Sequence, residues 1–229
     1  RCAAAGKTVG EAGVTEDIPL FFTWIPILAL LSNYDQEICL IHVGTEGTKA
    51  VRDRSAGLHA AIRDWVESVL PKSRAALDAE FLFLSPKLNA DLRRAGLFAS
   101  DSSGDLFRSD PGSVTRMEFS RPPEDADKLI ATVGVDVPCG NDDAVYIYDY
   151  SQGQPRRVLE SHGTRDHDES VSDVRLSKRD AVGNQLILTL RYAVQCGSSW
   201  NMLSYDLFRL SGTAGAAVPI LGGEQGIWF

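Results

Sequence analysis

From Leu58 to Leu70 apolar residues return every third or fourth position, at Leu58, Ala61, Ile62, Trp65, Val66 and Val69, before Pro71 interrupts the run. That spacing predicts an amphipathic helix. Lys72 to Glu80 and Lys87 to Ala95 carry the same helical period, the second followed by Gly96 in the position of a C-terminal cap. Upstream, Glu37 to Val43 reads as a short buried strand that ends in the turn Gly44 to Gly47. Residues 1 to 98 thus read as a mixed, helix-rich segment. Residues 99 to 113 (ASDSSGDLFRSDPGS) are dense in Ser, Asp, Gly and Pro, which favour turns and have little to bury, and predict a linker.

Beyond the linker the period changes to two, and β-branched and aromatic residues dominate. Val114 to Ser120, Lys128 to Asp136, Ala144 to Tyr150 and Pro155 to Glu160 predict four strands. Val171 to Ser177, Gln185 to Val194, Asn201 to Leu210 and Val218 to Leu221 predict four more. The expected class is α+β, a helix-rich N-terminal segment followed by antiparallel β-units.

The two strand sets align without a gap at an offset of 57 residues. Val114 meets Val171, Leu129-Ile130 meet Leu186-Ile187, Thr132 meets Thr189, Cys139-Gly140 meet Cys196-Gly197, and Tyr148-Asp149 meet Tyr205-Asp206. Composition alone would give about two identities over this stretch, and ten occur, so residues 114–170 and 171–227 read as a duplication. A four-stranded unit of this length resembles a β-propeller blade, although residues 114–221, which carry the resemblance, hold neither a Trp-Asp nor a paired-glycine motif. The resemblance implies either blades of an incomplete propeller or, if the two units close on each other, a duplicated β-sandwich or barrel. Ile227-Trp228-Phe229 reads as the start of a third unit at 228. With Arg1 in place of Met, this makes the chain read as a fragment.

Charge narrows the partners. The 23 basic and 31 acidic residues give a net charge of −8, with no basic run, so a phosphate-binding stripe is not expected and nucleic acid is excluded as a partner. The longest apolar stretch, Ile18 to Leu31, is interrupted by Pro19, Thr23 and Pro26 and is shorter than the ~20 residues that span a bilayer, so membrane insertion is not expected. A removed signal peptide would leave no trace here.

Candidate chemistry is sparse. The cysteines stand at 2, 39, 139 and 196 with no Cys-x-x-Cys pair, which excludes a zinc ribbon. Cys139 and Cys196 hold the same place in each unit, and a disulfide between them would indicate an extracytoplasmic protein, periplasmic or secreted. Asp166, His167 and Asp168 are weak metal candidates, in a run that lacks the glycine of an EF-hand loop. Asp142 and Asp143, with Asp136 near them, are the carboxylates for an alternative reading as a hydrolase with an acidic site in the inter-repeat loops. Ser198 and Ser199 lack a nucleophile-elbow motif, Cys39 with His42 or His59 sits in apolar company, and no glycine-rich phosphate loop calls for a nucleotide cofactor. Tyr146, Tyr148 and Tyr150 alternate along one strand, with Trp200 and Tyr205 in the matching region of the second unit. Aromatic stripes of this kind bind peptide or glycan with few rotamers to freeze. The expected function is binding or scaffolding of a protein, peptide or glycan, without enzymatic activity and without a cofactor.

Overall fold

In the computed structural model the described residues are 48–94, 114–137, 140–162, 169–194, 200–212 and 215–228. The predicted strand at 37–43 and the predicted linker at 99–113 lie outside them. The chain divides into two compact units, residues 1–68 and 69–229.

In the first unit, helix α1 (Thr48–Val69) begins ten residues before the predicted start. The segment 48–57 is too polar to display an apolar stripe, so periodicity alone marks only the later turns. Ile62, Trp65 and Val66 form its buried stripe, with His59 buried one turn earlier.

The second unit opens with α2 (Arg74–Arg94), a single helix where two helical segments were predicted. Its start is capped by Ser73, whose Oγ accepts a hydrogen bond from the Ala76 N–H (3.1 Å). Pro86 removes one backbone donor. The buried residues Leu77, Leu84, Leu88 and Leu92 nonetheless keep one stripe through it, and packing of that stripe outweighs the lost bond.

Eight strands follow: β1 (Val114–Ser120), β2 (Lys128–Val137), β3 (Gly140–Asp149), β4 (Arg156–His162), β5 (Glu169–Leu176), β6 (Gln185–Val194), β7 (Trp200–Leu210) and β8 (Val218–Trp228). They form two separate antiparallel sheets, β1-β2-β3-β4 and β5-β6-β7-β8, and no single closed barrel. Helix α2 covers the free edge of the first sheet: Phe119 N–H donates to Ser85 Oγ (2.9 Å) and Asn89 Nδ2 donates to the Met117 carbonyl (3.2 Å). These are the edge groups that would otherwise template another strand.

Strand β8 runs through Ile227 and Trp228, pairing Trp228 with Trp200, so these residues close the second sheet where a third unit was expected to begin. The predicted strand stopped at Leu221, before the Gly222-Gly223 pair. Both glycines instead admit side chains of β7: a Cβ on Gly223 would lie 2.7 Å from Tyr205 Oη, and one on Gly222 would lie 2.7 Å from Asp206 Oδ1.

The sheets bury their inner faces against each other through Ile130, Val145, Ile147 and Leu159 on one side and Val171, Leu176, Ile187 and Leu210 on the other. Contacts along this interface fix the orientation. Arg116 of β1 donates to the Val171 carbonyl at the start of β5 (3.0 Å). Ala217 N–H, at the entry to β8, donates to the Val158 carbonyl of β4 (2.6 Å). The β1–β2 and β5–β6 turns meet through Asp125 and Arg179. Strand order and direction are therefore the same in both sheets. Two identical meanders stacked in the same order and direction must present unlike faces to each other, as successive members of a head-to-tail stack do.

Strand registers give the same result. A bulge falls between Val114 and Arg116 in β1 and between Val171 and Asp173 in β5, 57 residues on. Past it, Phe119 pairs with Ala131, whereas Leu176 pairs with Ile187, one residue short of the 57 offset. A one-residue slip exchanges the faces, so Phe119 points outward and Leu176 inward. The gapless alignment thus holds for β1 and β5 only. Later connections differ in length, two residues between the paired Val137 and Gly140 but six between Val194 and Asn201.

Replacing Ile187 with Ala, at the centre of the inter-sheet cluster, should destabilise the second unit by about 2–5 kcal/mol in urea unfolding, against about 0.5–1.5 kcal/mol for Ile187→Val.

Candidate functional site

Adjacent strand residues point to opposite faces, and this decides the fate of the candidate acids. Asp143 pairs with Gly134 and faces the second sheet, while Asp142 pairs with Val135 and faces away from it. The two carboxylates do not converge. Asp136 sits on β2 opposite Asn141, in the sheet and not in a loop. Asp166, His167 and Asp168 lie outside the described residues, as do Cys139 and Cys196.

Asp143 is the anchor of the inter-sheet seam. Its Oδ2 accepts from Arg116 Nη2 (2.7 Å) and from the Val171 N–H (2.7 Å), and its backbone carbonyl accepts from Arg191 Nη1 (2.9 Å). Arg191 is itself buried and also donates to Ser161 Oγ (3.0 Å). Burial pushes the Asp143 carboxyl above the ordinary carboxylate range, and the nearby Arg116 and Arg191 charges and the Val171 hydrogen bond only partly offset it. Gly134 makes room for the group, since a Cβ there would lie 2.5 Å from Asp143 Oδ1.

A second charged cluster holds the opposite end of the stack. Lys128, 1% exposed, sits between Asp125 Oδ2 (3.3 Å) and Asp149 Oδ1 (3.1 Å). Burial opposes ionisation of Asp125, but the Arg179 hydrogen bond and the Lys128 charge hold its pKa below the usual value. Asp149 is lowered against burial in the same way, by the Ser151 hydrogen bonds and Lys128. Arg121 bonds Asp78 of α2 (2.7 Å), and Arg74 pairs with Asp78 and Asp127, joining the helix to the same turn. The ammonium of Lys128 occupies the space between two carboxylates where a cation ligand set would need to be open. No group of three or more His, Cys, Asp or Glu side chains suited to a metal occurs among the described residues.

The tyrosine stripe divides. Tyr146, Tyr148 and Tyr150 are each at most 1% exposed and present no face to solvent. Tyr150 Oη donates to the Pro71 carbonyl (3.0 Å), and burial pushes its pKa up to about 12. They pack as core, because the outer face of the first sheet is covered. Tyr205 lies half-buried on the outer face of the second sheet over Gly223. Trp200 stands at the start of β7, paired with Trp228. That outer face also carries Leu186, Leu207, Val218 and Leu221.

Neither charged cluster was predicted. Its signal was a charge at an inward position of an apolar strand, such as Arg191 two residues from Thr189 and four from Ile187. Arg191→Leu should remove attraction for the Asp143 carboxylate as well as two hydrogen bonds. With its folded pKa raised, Asp143 favours the fold when protonated, and this contribution is lost as pH rises through that pKa. The variant should therefore lose roughly 1–3 kcal/mol at neutral pH and a smaller amount once pH falls below the carboxylate range, measured by urea unfolding at both. An equal loss at both would show that the charge on Asp143 is irrelevant.

Searches for a matching family model, a curated relative and a similar solved structure found none, and the chain is described by its own geometry: two antiparallel four-stranded sheets stacked with a helix along one edge.

Proposed function

We propose that this chain is a non-enzymatic binding or scaffold protein of an extracytoplasmic compartment, its two sheets stacked as neighbouring propeller blades are. The observation that carries the reading is the placement of the acids. Asp142 and Asp143 point to opposite faces of β3, and Asp143 is held by Arg116 and the Val171 amide. A carboxylate pair that shares acid and base work has to flank one bond, which these two do not do. The buried charges that remain, Lys128, Asp125 and Arg191, are likewise engaged in holding strands and turns together.

Binding falls to the outer face of the second sheet, where Tyr205 and exposed leucines favour a protein surface over a glycan, since sugar recognition needs polar partners beside the aromatic ring. A net charge of −8 argues against nucleic acid. No helix among the described residues is long and apolar enough to cross a membrane. The extracytoplasmic assignment rests on Cys139 and Cys196, which match at the 57-residue offset in the sequence. A disulfide there would stabilise by roughly 2–4 kcal/mol, and non-reducing peptide mapping that recovers both as free thiols would remove this part of the reading.

The enzymatic alternative is tested by incubating the protein with chromogenic esters and glycosides beside an Asp143→Asn variant. The expected result is no turnover above buffer for either protein. Hydrolysis by the wild type that disappears in a folded Asp143→Asn variant would overturn the binding reading.

A further inference from the structure

We draw no further inference here: the strongest candidate, the exposed apolar patch of Leu186, Val218 and Leu221 on the outer face of the second sheet, carries none because nothing in the structure shows what covers it.

Discussion

Everything else in the second unit depends on the burial of two inner sheet faces against each other with strand order and direction preserved. Neither sheet has a use for its apolar inner face alone, and a four-stranded meander needs cover on at least one side to be stable. Stacking in the same order and direction brings β5 against β1 and β3, β8 against β4, and one first turn against the other. It also makes the two ends of the stack chemically different. The first sheet is covered on its outer face and helix α2 guards its edge, while the second sheet leaves an apolar face outward.

Buried charges act as locators in this stack more than as sources of net stability. Burying an ion pair costs desolvation that its attraction only partly returns, but removing one partner leaves an uncompensated charge. Asp143, which accepts from the Val171 N–H of the second sheet, therefore penalises any slip of one sheet over the other, while Lys128 between Asp125 and Asp149 ties the first sheet's own turn to its strands. Arg179 carries this registration from the second sheet's first turn to Asp125 of the first sheet. Chemistry that a sequence reader assigns to acids and lysines is used here for alignment.

The strands were legible from residue pattern, and β1 and β6 match their predicted bounds, because alternation of apolar and polar positions is a local property. The α+β class followed from the change of period. The end of the second sheet was not legible, since Gly222 and Gly223 carry no side chains to continue an alternating pattern, and only the fold shows Tyr205 and Asp206 filling the space above them. The duplication was visible as a strand count and misleading as a residue alignment. Leu129-Ile130 and Leu186-Ile187 match in sequence, yet the pairing with β1 and β5 places them one residue out of step. Composition draws both strands from the same few apolar residues, so identity accumulates without equivalence. Of the candidate site, Tyr146, Tyr148 and Tyr150 were found but their burial was not, because alternation marks a face without saying what covers it, while Tyr205 lies half-buried on the outer face of the second sheet.

The central claim, that the sheets share order and direction, places the two first turns together, and the most direct test is a double-mutant cycle on Asp125→Ala and Arg179→Ala read by urea unfolding. Contact between the turns predicts a coupling of about 0.5–3 kcal/mol. Additivity within about 0.3–0.5 kcal/mol would mean that the turns are apart, and would contradict the stacking from which the rest of the account is built.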